Sequence, residues 1–411
     1  MSTPNPLTWA RDHAPVLADL TDEFREERPF EGLTVAICSH LEASTGVFVE
    51  TIHAGGAECL VAPSEPKSTH ADVIDHLDSR EGIRTFAEPD MSDRAFERAQ
   101  SDLLAERPDL IADDACELIA RAHASHPDAV EEAIGGVEQT TAGVRRLEAI
   151  DADAGLGFPA YGVNDTPMKR CFDNVHGTGE SSLVNVAQIT NTALSGKTVV
   201  VGGYGHCGRG IARKARGLGA RTVVTEVDPR KALEAHMDGH LALSMAEAAE
   251  IGDLFVPSTG SRDVIRRAHF ERMRDGAQLA NAGHFDVEIA VDDLEAMAER
   301  TTEPIAGVTR YHLPDGRRLD LLTEGRLVNL TGPNSKGHPI EVMDTTFAMM
   351  AVALRELAVG ERPEPGVHAV PDRLDREVAD RKLAAVGGSR DDLTAKQEAY
   401  LSDWALDGEA F

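Results

Sequence analysis

The segment that most constrains the fold of this chain runs from Thr198 to Glu226. Thr198-Val199-Val200-Val201 is a β-branched run of strand type, and it leads into Gly203-Tyr204-Gly205-His206-Cys207-Gly208, a G-x-G-x-x-G. A helical stretch from Arg209 to Leu218 follows, then a second strand, Arg221-Thr222-Val223-Val224-Thr225, ending in Glu226, 18 residues beyond Gly208. This order predicts a β-α-β unit that binds a dinucleotide. Glycines permit the tight turn, the close backbone approach to pyrophosphate and the close packing of helix on strand, while the helix N-terminus favours the anion. Glu226 can accept hydrogen bonds from a ribose diol and would repel a 2′-phosphate, so NAD is expected rather than NADP.

At 411 residues the chain has room for two or three domains with full cores. Upstream of the fingerprint, Leu7, Trp9, Ala10, Ala14, Leu17, Leu20 and Phe24 recur at helical spacing and predict a helical arm over residues 1–30. Leu33 to Cys38 and Glu58 to Ala62 then read as buried strands, separated by a helix from about Glu42 to Ala54 that Gly55-Gly56 stops. The alternation continues through Asp109 to Asp114 and argues for an α/β protein with parallel sheets. Chemistry in such sheets sits at the carboxyl ends of strands, where His40 and Asp113-Asp114 lie. A strongly apolar helix from Glu341 to Leu357 follows the polar loop Thr331 to Pro339.

Charge narrows the partners. With 41 Lys+Arg against 70 Asp+Glu the formal net charge is −29, which repels phosphate backbones and anionic lipid, so neither nucleic acid nor a membrane is an expected partner. Only eight basic residues are lysine, and an acid-rich, lysine-poor surface suits a salt-rich cytosol. The first residues have neither the basic flank nor the apolar core of an export signal, so a cytoplasmic location is expected. Five scattered cysteines without C-x-x-C spacing indicate neither disulfides nor a thiolate metal site, and no metal is expected.

In this lysine-poor chain, Lys169 stands four residues before Asp173-Asn174 in the string Val163-Asn164-Asp165-Thr166-Pro167-Met168-Lys169-Arg170-Cys171-Phe172-Asp173-Asn174. On a helix, i and i+4 would set Lys169 and Asp173 on one face, either as a proton-handling pair or as an ordinary ion pair. A second patch, Asn281-Ala282-Gly283-His284-Phe285-Asp286-Val287-Glu288, follows an apolar run.

Taken with Ala36 to His40, Ile111 to Asp114, Thr225 to Pro229, Glu324 to Leu330, Gly337-His338-Pro339 and Gly366-Val367-His368, these strings give a chain that resembles S-adenosylhomocysteine hydrolase over roughly residues 30–402. The resemblance implies two Rossmann-like domains, the NAD-binding one inserted in the substrate-binding one. Residues 1–175 and 336–385 would form the substrate domain, 176–335 the NAD domain and 386–411 a tail. It also implies a nucleoside thioether as substrate and a homo-oligomer, usually a tetramer. The implied chemistry uses tightly held NAD⁺ to oxidise the ribose 3′-hydroxyl, which acidifies the 4′ hydrogen. Homocysteine is then eliminated, water adds at C5′, and the ketone is reduced back.

Carried over by resemblance, Lys169 and Asp173 handle the 3′-hydroxyl, Asp114 acts near the 4′ hydrogen, and His40 and His284 serve around C5′. Glu42, Thr45, Asp114, Gln139, Lys169, Asp173 and His338 are then expected to bind substrate. Thr140, Thr141, Ala142, Asn174, Gly203, Gly205, His206, Cys207, Gly208, Arg209, Gly210, Glu226, Ala282, Gly283, His284 and Asn329 are expected around NAD.

The chain departs from the family on the substrate side. The usual Asp-Asp-Gly-Gly-Asp is Asp113-Asp114-Ala115-Cys116-Glu117, and Gln139 stands where a carboxylate grips the substrate ribose. The usual Asn-Pro-Leu-Ser-Thr-Gln-Asp is Glu65-Pro66-Lys67-Ser68-Thr69-His70-Ala71, and the chain ends in Asp407-Gly408-Glu409-Ala410-Phe411 rather than a Lys- and Tyr-bearing extension. Alternatives to S-adenosylhomocysteine hydrolysis are therefore an S-inosyl-homocysteine hydrolase and a low-activity regulatory paralogue that binds NAD and nucleoside. An ordinary NAD dehydrogenase shares the fingerprint but leaves the Lys169 to Asn174 string unexplained.

Overall fold

The computed structural model describes residues 5–333 and 335–402, which build two open sheets; the terminal string Asp407 to Phe411 lies outside them. The first sheet takes β1 (Thr34–Ser39), β2 (Glu58–Pro63), β3 (Ile83–Thr85), β4 (Leu110–Asp113), β5 (Gly135–Glu138) and β6 (Pro159–Gly162). Strands β1, β2 and β4 are short apolar runs buried along nearly their whole length, because helices cover both faces of a parallel sheet. The second sheet takes β7 (Thr198–Gly202), β8 (Arg221–Thr225), β9 (Leu241–Ala242), β10 (Leu254–Pro257), β11 (Ala277–Leu279), β12 (Arg300–Ile305), β13 (Val308–His312) and β14 (Arg318–Leu322). The chain then returns to the first sheet, where β15 (Gly366–His368) pairs in parallel with β6.

Strand order in the first sheet is β15-β6-β5-β4-β1-β2-β3, parallel throughout. The second runs β12-β13-β14-β11-β10-β7-β8-β9, parallel except at one edge, where β13 runs antiparallel to both β12 and β14. The order of connection reverses between β1 and β4 in one sheet and between β7 and β10 in the other. Each reversal opens a crevice at the strands' carboxyl ends.

The helix Ile340–Val359 is buried almost all round, as its apolar sequence demands, and stacks Phe347 on Phe48 with ring centroids 4.9 Å apart. It also ties the N-terminal arm into the first core. Buried Asp344 accepts the Leu17 N–H at 2.9 Å and the Lys382 ammonium at 2.8 Å. That arm is two helices rather than one, Pro6–Asp12 and Pro15–Glu27, since Pro15 has no N–H to continue the first. Trp9 differs from its apolar neighbours in the periodic stripe, being 62% exposed.

Candidate active site

A cavity of about 860 Å³ lies where the two crevices meet, and its wall carries residues from both sheets. At the first reversal, His40 follows β1 and Asp114 follows β4. His40 Nε2 sits 3.3 Å from Asp114 Oδ2, and its Nδ1 is 2.7 Å from the Ser68 hydroxyl. His284, from the loop after β11, brings its Nδ1 to 4.0 Å from Asp114 Oδ1. Burial holds both imidazoles below the ordinary histidine pKa, against the opposing pull of Asp114. The two rings are therefore neutral near pH 7 and able to take a proton, and to pass it on once taken.

Lys169 anchors a second cluster. Thr166 caps the turn and Pro167 occupies its first position, which starts a helix just before the lysine. From Arg170 to Gly177 the backbone widens into a π-helix, whose bonds run from i to i+5. The spacing expected from the sequence pairs Lys169 with Asp173, and that pair is present at 3.5 Å. The widened turn brings Asn174 closer still, its Oδ1 at 2.7 Å from Lys169 Nζ. Asp173 also meets His338 Nδ1 at 3.1 Å and accepts the Thr346 hydroxyl at 2.7 Å. Burial opposes its charge, yet Lys169, His338 and Thr346 together hold its carboxyl well below the usual range.

The dinucleotide half continues the same cavity. Gly203 takes φ +86°, and a side chain on Gly208 would put its Cβ 2.0 Å from the Gly203 carbonyl. Gly205 faces open space, so the backbone there offers a cradle that a Cβ would fill. Glu226 is fixed by the N–H groups of Tyr204, Val227 and Asp228 at 2.7, 2.7 and 3.0 Å, leaving lone-pair capacity for a ribose hydroxyl. Asn329 buries an Oδ1 that has no partner. These features fit NAD, which Glu226, the glycine turn and Asn329 would hold.

Among the residues expected to bind, Glu42, Thr45, Gln139, His338, Thr140, Thr141, Ala142, Asn174, Gly203, Gly205, His206, Cys207, Glu226, Ala282, Gly283 and Asn329 line the cavity, as do Lys169, Asp173, Asp114, His40 and His284. Gly208, Arg209 and Gly210 are not in its wall. Gly210 instead lets its helix approach the Val175 carbonyl, and Arg209 pairs with Glu234 at 2.6 Å. The Thr45 hydroxyl donates to the His40 carbonyl at 2.5 Å, so it also shapes the turn that carries His40.

The departures from the family pattern take physical form here. Ala115 and Cys116 keep the left-handed backbone that glycine favours, at φ +67° and +58°. Glu138 pins them there, accepting the Ala115 N–H at 3.1 Å and the Cys116 N–H at 2.7 Å. Burial and the nearby Asp113 and Asp114 push the Glu138 carboxyl up strongly. Gln139 faces the cavity with a buried, unpartnered Oε1. Glu65 and Lys67 reach across to the second sheet's domain: Arg326 contacts Glu65 at 3.0 Å and Lys67 contacts Glu324 at 2.5 Å.

Sequence reasoning missed several contributors. Ser258, Thr259 and Gly260 line the cavity just past β10, where the carboxyl-end rule would have found them. Thr346 orients Asp173, and its signal is the polar run Asp344-Thr345-Thr346 inside an otherwise apolar helix. Thr178 links His338 Nε2 at 3.4 Å with Cys207 at 3.6 Å. Among the described residues no helix is long and apolar enough to cross a membrane.

Comparison with known proteins gives a consistent picture. Residues 174–335 match the family described as "S-adenosyl-L-homocysteine hydrolase, NAD binding domain", and residues 5–127 match "S-adenosyl-L-homocysteine hydrolase". A protein named adenosylhomocysteinase from Halobacterium salinarum is 50% identical over 399 residues, covering 97% of this chain and 93% of its own length. One named S-inosyl-L-homocysteine hydrolase from Methanopyrus kandleri is 48% identical over 400 residues, covering 97% and 94%. Among solved structures, a dipicolinate synthase from Bacillus halodurans superposes with a TM-score of 0.51 at 12% identity, covering 80% of this chain and 99% of that one, which is a likeness of fold alone.

Proposed function

The chain belongs to the S-adenosyl-L-homocysteine hydrolase family, and on that premise we propose that it hydrolyses S-adenosyl-L-homocysteine reversibly to L-homocysteine and adenosine. The observation that carries this reading is the pairing of two proton-handling clusters, around Lys169 and around Asp114, on one cavity that also reaches the glycine turn. An ordinary dehydrogenase needs one such cluster. An elimination and a water addition at a neighbouring carbon need the other.

Bound NAD supplies a hydride acceptor for the ribose C3′ and a donor that restores it. The chain's own residues do the rest. Lys169 Nζ, steered by Asn174 and Asp173, handles the proton of the 3′-hydroxyl. Asp114 Oδ1, which has no hydrogen-bond partner, is the group in position to take the 4′ hydrogen once a ketone beside it has made that hydrogen acidic. The proton that Asp114 takes can pass by way of the neutral His40 ring, 3.3 Å away, to the leaving thiolate, and the neutral His284 ring can take the proton of the entering water, which is returned to C4′ as the addition completes. The surrounding walls keep bulk water from the ketone. Thr140 to Ala142, Ala282, Gly283 and Asn329 complete the dinucleotide's surroundings in this reading.

A hypoxanthine-bearing substrate is the second reading, supported by the 48% identical relative named S-inosyl-L-homocysteine hydrolase, and Glu42 is compatible with it. Burial pushes its carboxyl up to about 8, against the pull of Lys336, so at pH 7 it both donates and accepts a hydrogen bond. Its buried Oε1 has no hydrogen-bond partner among the described residues. A neutral carboxyl suits either adenine or the carbonyl of hypoxanthine. The acid-rich composition supports a salt-rich cytoplasm, and the family resemblance supports a tetramer whose domains 1–175 with 336–385 and 176–335 close on substrate.

The test is to add S-adenosylhomocysteine, then S-inosylhomocysteine, to purified protein in high salt while following NADH absorbance and free thiol. Thiol release with transient, sub-stoichiometric NADH is expected, and the faster substrate names the base. Bound NAD with neither signal would replace this reading with the regulatory paralogue.

A further inference from the structure

We infer that His40, Asp114 and His284 form a three-ligand site for a divalent transition ion of the zinc type, and that filling it switches turnover off. Their ligand atoms all lie within 4.8 Å of one another. In a tetrahedral zinc site with bonds of about 2.0–2.1 Å the ligand atoms stand roughly 3.3 Å apart. His40 Nε2 lies 3.3 Å from Asp114 Oδ2, which already meets that, while His284 Nδ1 lies 4.0 Å from the other carboxylate oxygen, Oδ1, so gathering the three around one ion needs the His284 ring or the carboxylate to turn.

Two independent features suit a cation. Asp114 Oδ1 is buried and accepts no hydrogen bond among the described residues, with His284 Nδ1 beyond bonding distance at 4.0 Å. The Ser68 hydroxyl at 2.7 Å from His40 Nδ1 fixes that ring and leaves Nε2 as the ligand, which is the outer contact that metal-binding histidines use. Glu65 and Glu117 add negative potential at His284.

Two imidazoles and one carboxylate leave the fourth position open to the cavity, and a thiolate is the soft ligand that completes such a set. The proposed reaction generates a thiolate beside these histidines, so the ion and the thiol product are expected to bind more tightly together than apart. This last part rests on the proposed reaction; the metal site itself does not.

The experiment titrates metal-stripped protein, with its NAD retained, with Co²⁺. The expected result is the strong visible absorption of four-coordinate cobalt at one equivalent, loss of turnover over the same range, and a sulfur-to-cobalt band with tighter binding when homocysteine is added. His284→Asn and His40→Asn should each lose the visible band. Ser68→Ala, which keeps all three ligands, should weaken cobalt binding roughly ten- to a hundredfold and guards against misfolding of the histidine variants. A weak, six-coordinate spectrum that none of the three variants alters would mean binding to surface carboxylates only and would overturn the site. A cobalt band untouched by homocysteine would overturn the thiolate part alone. Absence of thiol release from any substrate in metal-free protein would instead overturn the proposed reaction.

Discussion

Lys169 Nζ lies 2.7 Å from Asn174 Oδ1 and 3.5 Å from Asp173 Oδ1, so the residue five positions on is nearer than the one four positions on. The π-helical turn over Arg170–Gly177 accounts for this, since its hydrogen bonds span i to i+5 rather than i to i+4. The lysine thereby gains a neutral acceptor and a carboxylate at once. Lys169→Ala should leave NAD bound, because the glycine turn and Glu226 are untouched, while turnover falls by about 10²–10⁴-fold. Bound-nucleotide content and NADH absorbance on substrate addition check both halves. Normal turnover in this variant would exclude the lysine from the chemistry.

Glu42 gives a stability prediction with a definite sign. In the unfolded chain its carboxyl ionises around 4.5, whereas burial raises it to about 8 in the fold. Its favourable contribution is therefore complete below pH 4.5 and is lost as pH rises toward 8, where folding must retain a proton that the unfolded chain has released. Glu42→Gln should remove that slope and stabilise the protein at pH 8 by a few kcal/mol, on the order expected for a fully buried carboxyl. Denaturant midpoints of both proteins at pH 5 and pH 8 provide the measurement. His40 and His284 slope the other way: their lowered pKa values cost stability only on acidification below the ordinary histidine range.

The ion pairs between the two domains should contribute unequally. Lys67 and Glu324 are exposed at 40% and 63%, and such a pair is worth about 0–1 kcal/mol, so Lys67→Ala should change little beyond a weaker salt dependence. Arg326 stands between Glu65 and Asp286, at 3.0 and 3.8 Å, and its removal strands Glu65, whose carboxyl burial already pushes up. Arg326→Gln should raise KM more than it lowers kcat, through loss of the closed arrangement, and should enlarge the radius of gyration measured by small-angle scattering. Unchanged KM and dimensions would remove the clasp from the account.

Ala115 and Cys116 hold a left-handed backbone at a cost of roughly 1–2 kcal/mol each, offset by the two N–H bonds to Glu138. Replacing both with glycine should raise stability by about 1 kcal/mol, the relief of strain being partly cancelled by a more flexible unfolded chain. Chemical denaturation checks this, with Glu138→Ala as the opposing control. No gain would mean that the burial lost with the Ala115 and Cys116 side chains outweighs the relief of strain.

Much of the site is legible without any fold, for local reasons. The glycine turn, Glu226 and the α/β alternation follow from spacing within a few dozen residues, where each residue type has one demanding backbone or packing role. The N-terminal arm shows its helical period in the sequence but not its break, although Pro15 marks it. Gly208 and Gly210, grouped by the motif with the cofactor, also leave the room that lets their helix pack against Gly203 and Val175. A glycine's absence of side chain does not say which neighbour requires it.

What the sequence determined by itself was the list of chemically capable groups and the sheet class that would present them. Only the tertiary structure decided their company. Asp114 and His40 are separated by 74 positions in the chain and meet because β1 and β4 are neighbours at a sheet's point of reversal. Thr346 reaches Asp173 from a helix that returns long after the second sheet is complete. Burial followed from the same assembly. No local pattern encodes desolvation, so the neutral histidines, the raised Glu42 and the left-handed Ala115-Cys116 turn exist only because distant segments close over them.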